Sequence, residues 1–145
     1  MTTKREQAIL ERVIPLPKTV TIAQTRRLAP TRCTITANSH EPPVRRAVDL
    51  LLAAIPGMKE SPRGGFVLRL AVAPGEPMLA PLPNADQAYS IRPLNTEQSG
   101  LELIGTTAVG VLNAARTLAQ MIRVTAGRVE MPIATVIDWP DLAER

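Results

Sequence analysis

The chain has 145 residues, enough for one domain with one real core, and 45% of them are hydrophobic. A net charge of +4 and a pI near 10 permit weak contact with polyanions. The arginines are scattered, however, and Phe66, Tyr89 and Trp139 are the only aromatics, so no nucleic-acid partner is expected. A single cysteine, Cys33, excludes an internal disulfide and any multi-cysteine metal site.

In chain order, residues 1–12 open with a charged stretch lacking an apolar run, so no signal peptide is expected there and the compartment stays open. Residues 3–12 read as a short helix or an arm ordered by a partner. Residues 13–17 contain Pro15 and Pro17 and read as extended, because a residue before proline is pushed out of the α region. Residues 19–22 alternate and predict a strand; residues 31–37, which include Cys33, predict a second. Pro43 suits a first helical turn, and Val44, Ala47, Val48, Leu51, Leu52 and Ile55 give residues 44–55 one buried helical face. Pro56-Gly57 stops that helix.

Residues 66–72 are almost all apolar and predict a central strand. Residues 74–86 form a proline-rich loop. Residues 88–94 and 101–104 alternate and predict an antiparallel hairpin. Ala108, Val111, Leu112, Ala115, Leu118, Ala119 and Ile122 define a second amphipathic helix over 108–122. Residues 129–137 predict a last strand, interrupted at Pro132. About six strands and two amphipathic helices predict an α/β (α+β) two-layer sandwich: a mixed, mostly antiparallel sheet with both helices on one face. The other face must be polar or covered. The longest apolar run, residues 50–55, is far shorter than the ~20 residues that cross a bilayer, so no membrane partner is expected.

The chain offers little chemistry of its own. His40-Glu41 begins like a zinc-protease motif, but Pro42-Pro43 follow and Val44 stands where a second histidine is needed. Gly100-Leu-Glu-Leu-Ile-Gly-Thr-Thr107 misses a P-loop: Thr106 replaces the lysine, and Leu101, Leu103 and Ile104 alternate like a strand. No Gly-x-Ser-x-Gly occurs. Asp138, Asp141 and Glu144 are spaced by three, but a proline-bearing segment positions a catalytic pair poorly. Asp138 is expected to hydrogen-bond a turn, and the other two to be solvated. No catalytic residue, cofactor or metal is expected in this chain.

The most informative stretch is the last one. A β-branched run, Ile133 to Ile137, enters Asp138-Trp139-Pro140 and then a few polar residues up to Arg145. It reads as a junction leading out of the domain. Together with Gly110-Val-Leu-Asn-Ala-Ala-Arg-Thr-Leu-Ala-Gln-Met-Ile122 and Met131-Pro132, this segment resembles the end of the N-terminal domain of glycoside hydrolase family 20, the β-N-acetylhexosaminidases. There a Gly-x-x-x-Gly-x-x-Thr-Leu-x-Gln-Leu helix precedes a strand and an Ile-x-Asp-x-Pro-x-Phe-x-x-Arg-Gly segment. Ile14-Pro-Leu-Pro-Lys-Thr-Val20 and Ala88-Tyr-Ser-Ile91 are similar to two strands of that domain. Ala114 replaces the second glycine and Leu142 the phenylalanine. Related domains precede the barrels of family 84 hexosaminidases and of α-glucuronidases.

The resemblance implies residues 1–12 as an arm or helix, 13–137 as a non-catalytic α/β domain, and 138–145 as the junction to a catalytic (β/α)₈ barrel. Asp138, Trp139, Pro140 and Arg145 become candidate junction or interface residues. It implies a barrel partner C-terminal to Arg145 and a carbohydrate substrate for the parent. The family's catalytic machinery is an Asp-Glu pair in the barrel, with the substrate's acetamido group as nucleophile and the glutamate as general acid. No Asp-Glu dipeptide occurs in this chain. The alternative is a stand-alone carbohydrate-binding or protein-interaction domain using Tyr89 or Trp139.

Overall fold

The computed structural model describes residues 4–13, 16–94 and 98–141. Ile14, Pro15, Leu142, Glu144 and Arg145 lie outside these. The elements in order are α1 (Lys4–Glu11), β1 (Thr19–Leu28), β2 (Cys33–Ala37), α2 (Pro42–Ala54), β3 (Lys59–Glu60), β4 (Phe66–Val72), β5 (Tyr89–Pro93), β6 (Gly100–Gly105), α3 (Ala108–Met121), β7 (Arg123–Thr125) and β8 (Arg128–Asp138).

One eight-stranded sheet runs in the order β1-β8-β5-β6-β4-β2-β3, with β7 on β8. The pairings of β3, β2, β4 and β6 are parallel, and those of β6, β5, β8, β1 and β7 are antiparallel. The division follows from the connections. Helix α2 lies in the crossover from β2 to its parallel neighbour β4, which a tight turn cannot supply, whereas β5–β6 and β7–β8 follow one another directly and pair antiparallel.

Both long helices pack on one face. Val44, Ala47, Val48 and Leu51 of α2 and Val111, Ala115 and Leu118 of α3 share a core with Ile35, Phe66, Leu68, Leu70, Ile91, Leu101, Leu103 and Val136. Each fully buried Val, Leu, Ile or Phe side chain among these contributes about 1.5–3 kcal/mol. Helix α1 joins the same core through Ile9, followed by Val13. Its neighbour Arg12 donates to the carbonyl of Met121 at 3.0 Å, at the C-terminal end of α3, where helix carbonyls have no partner within the helix.

The opposite face is both covered and polar. The proline-rich loop folds over one part of it, where Leu79 and Leu82 pack with Ala71, Ile104, Ile137 and Trp139. Beside this patch, Arg69, Glu102 and Arg92 stand in register across β4, β6 and β5. Arg92 binds Glu102 and reaches Glu76 at 3.1 Å, which tethers the loop to the sheet. Cover on both faces explains why β4 is so apolar.

The expected strands need correcting in number and extent. Among the described residues there are eight, because β3 and β7 are too short to show a period. Strand β1 runs to Leu28 rather than stopping at 22, because Ala23 is an extra residue between the pairs Ile22↔Ala134 and Gln24↔Ile133. Such a bulge reverses the alternation beyond it. Residues 30–32 form a 3₁₀ turn, so β2 starts only at Cys33. Pro132 does not interrupt β8. It pairs with Thr25 of β1 in the stretch where neither β7 nor β5 pairs with β8. Among the described residues no helix is long and apolar enough to cross a membrane.

Candidate functional site

The residues with unusual partners converge where β8 leaves the sheet. Register places Tyr89 of β5 opposite Asp138 of β8, both on the helix side. The Tyr89 ring is buried, and its hydroxyl lies 2.5 Å from Thr117 Oγ1 of α3 and donates to Asp138 Oδ2 at 3.4 Å. One arrangement satisfies both bonds: Thr117 donates to Tyr89, and Tyr89 donates to Asp138. Burial, with the nearby Asp138 charge, pushes the Tyr89 hydroxyl well above its ordinary value, against the opposing Thr117 bond. Tyr89 is therefore a neutral donor at neutral pH and not a base or nucleophile.

Lys18, just before β1, is brought here because β1 pairs with β8 starting from Thr19↔Ile137. Its backbone N–H donates to Asp138 Oδ1 at 3.1 Å. Its ammonium lies 3.0 Å from Asp141 and 5.3 Å from the centre of the Trp139 ring. On the other side, Asn84 of the proline-rich loop donates to the Pro140 carbonyl at 2.8 Å. Asn84 has φ 51°, a left-handed conformation that asparagine tolerates better than most residues. Trp139 packs against the cluster of Leu79, Ala88 and Ile104.

Between this segment and α3 lies an open cleft of about 410 Å³, lined among others by Leu16, Tyr89, Asn113, Arg116, Gln120 and Trp139. Leu16 is well exposed, at 57%. Asn113 donates to the Gln87 carbonyl at 3.0 Å.

The structure thus brings Asp138, Trp139 and Pro140 together with Tyr89, while Arg145 lies outside the described residues. Asp138 binds the start of β1 and the Tyr89 hydroxyl rather than its own turn. Asp141 is exposed and paired with Lys18. Sequence reasoning missed Lys18, Asn84 and Thr117. Only Asn84, in a proline-rich turn, carried a local signal. His40 is exposed in the loop before α2. The stretch from Gly100 to Gly105 is strand β6, not a phosphate loop. Cys33 is fully buried, and burial pushes its thiol up to about 11, against the pull of Arg26. Among the described residues no three His, Cys, Asp or Glu are grouped to hold a metal.

A mixed sheet with two helices on one face and a fastened exit strand defines a two-layer α/β domain. The family model for glycosyl hydrolase family 20, domain 2, matches residues 11–139, and the chain belongs to that family. Comparison with curated proteins gives no match. Similar solved structures include the GH20 exo-β-N-acetylglucosaminidase of Vibrio harveyi, at 13% identity and TM-score 0.66 over 91% of this chain and 19% of that one. The GH20 β-N-acetylhexosaminidase of Streptomyces coelicolor A3(2) is 22% identical, with TM-score 0.65 over 92% of this chain and 27% of that one. CpGH84B is 15% identical, with TM-score 0.56 over 87% of this chain and 22% of that one. At these identities the likeness establishes the fold. The chain spans about a fifth to a quarter of the length of these structures.

Proposed function

We infer that this domain serves a larger glycoside hydrolase, a β-N-acetylhexosaminidase, by packing on its catalytic barrel and steadying it, with Asp138 to Pro140 as part of the bridge. The observation that carries this reading is the family match over residues 11–139, which runs into the fastened exit segment. The GH20 relatives support an N-acetylhexosaminide as the parent's substrate class, with the catalytic carboxylates in the barrel. Within this chain the Asp138 carboxylate is engaged by the Tyr89 hydroxyl and the Lys18 N–H, which suits anchoring better than proton transfer.

Two measurements test the reading. The frame encoding this chain should continue past Arg145 into a barrel bearing an Asp-Glu pair. The 145-residue chain alone should not turn over a chromogenic N-acetylglucosaminide, while the longer protein should. A frame stopping at Arg145, or turnover that tracks the purified short chain, would sink it.

The carbohydrate-binding alternative has the cleft beside Trp139 in its favour. Against it, the Lys18 ammonium lies over the Trp139 ring, and Trp139 also packs against the Leu79 cluster. A sugar needs a free aromatic face to stack on. Titration with chitooligosaccharides while monitoring Trp139 fluorescence decides between them; a saturable change would support the alternative.

A further inference from the structure

Four successive residues at the exit each have a partner from a remote part of the chain. Asp138 takes the Lys18 N–H and the Tyr89 hydroxyl. Trp139 lies under the Lys18 ammonium and packs on the Leu79 cluster. The Pro140 carbonyl takes the Asn84 amide, and Asp141 pairs with Lys18. Segments next to the end of a sheet are ordinarily ordered only where something ties them down. Here two ties approach from different sides: Lys18 from the start of β1 and Asn84 from the loop over the second face. Pro140 stiffens the same stretch, fixing its own φ and restricting Trp139 before it.

We propose that the Lys18 ammonium and the Asn84 amide form a two-armed clasp that sets the direction in which the chain leaves the sheet, so that the next domain is held in a defined orientation instead of on a flexible tether. That the next domain is a catalytic barrel rests on the proposed accessory function, but the rigidity of the clasp belongs to this domain alone. The arms differ in physics. Lys18–Asp141 is an exposed ion pair, with Asp141 85% exposed, and is weakened by salt. Asn84–Pro140 is a neutral, part-buried hydrogen bond that salt leaves in place. The Asn84 arm should therefore hold when the Lys18 arm is screened.

Trp139 is the only tryptophan, so its fluorescence reports on the clasp directly. In the 145-residue chain its anisotropy should decay only with the tumbling of the whole molecule, at low and at high salt. Asn84→Asp keeps the side-chain shape and the tolerance for left-handed backbone but replaces the amide donor with a second acceptor. Combined with Lys18→Met, it should add a fast nanosecond component and raise acrylamide quenching of Trp139 roughly threefold or more, with far-UV circular dichroism unchanged. If the double variant does not fold, Asn84→Gly at high salt disables the same two arms with the positive φ preserved.

A fast component already present in the unaltered chain overturns the proposal. So does a slow decay that survives loss of both arms. In the longer protein, the double variant should split a single thermal transition into two. An unsplit transition beside a loosened Trp139 removes the orienting role and leaves the packing function standing. A frame that ends at Arg145 removes the packing function and leaves the measured clasp.

Discussion

The Tyr89 hydroxyl ties strand β5, helix α3 and strand β8 to one point through Thr117 and Asp138. Tyr89→Phe keeps the ring and strands the Thr117 hydroxyl, which is only 7% exposed. The expected loss is about 1–3 kcal/mol, read from urea unfolding, because a buried group loses its partner. The same residue predicts a pH dependence. Its folded-state value lies above the ordinary 10.0, so its contribution is complete below that pH and declines above it, as the unfolded chain ionises first. Cys33 acts with the same sign from its ordinary 9.0 up to about 11. Unfolding midpoints should therefore fall steadily above pH 9, and Cys33→Ala should flatten the first part of that fall. An unchanged slope in that variant would show that the thiol is not the group responsible. A thiol reagent should find no reactive group in the native protein at neutral pH and one after denaturation, since the fully buried thiol is both protonated and covered.

At the scale of elements, α3 is seated by its first turn. Thr107 caps it by accepting from the Gly110 N–H at 3.3 Å, and donates to the Asp86 carbonyl. Gly110 then lets the helix approach the sheet: a Cβ there would collide with the Ala88 carbonyl oxygen and crowd Gly105. Gly110→Ala should cost about 1–3 kcal/mol, measured by urea unfolding, because the obstacle is backbone rather than a side chain that can swing away. Ala114, where the resembling family motif has its second glycine, is fully buried; Ala114→Gly should lose about 1 kcal/mol through helix propensity alone.

These elements also show what a sequence exposes. Helices α2 and α3 were readable from the spacing of Val44 to Leu51 and of Val111 to Leu118, because a one-sided buried face imposes a period. Strand β4 was readable from its apolar run. The far half of β1 was hidden by the bulge at Ala23, and β3 and β7 by their length. The prolines of residues 74–83 announced a loop but not that Leu79 and Leu82 would cover the second face. At the junction, the motif from Ile137 to Pro140 was recognisable. Its fasteners were not, because Lys18 meets Asp138 across 120 positions and Asn84 meets Pro140 across 56, and no local pattern encodes such meetings.

For the whole molecule, the decisive feature is the place of β8. It lies between β1 and β5, so the strand made last joins the strand made first to the rest of the sheet. Removing residues 128–145 should leave β1 and β7 with no neighbour in the sheet and expose Ile91 and its surroundings. Such a truncated chain should show no cooperative thermal transition, whereas one ending at residue 141 should unfold in a single step. A cooperative transition in the shorter chain would mean that α2, α3 and the parallel strands form a self-sufficient unit.

The same placement has a consequence for biosynthesis. In a chain emerging from the ribosome, the residues of α2, α3 and the other strands are all made before the strand that joins β1 to β5. Those two strands keep unpaired backbone edges until residue 138 has cleared the exit tunnel. For that interval the nascent domain is open to pairing with other chains, and the arrival of β8 closes it.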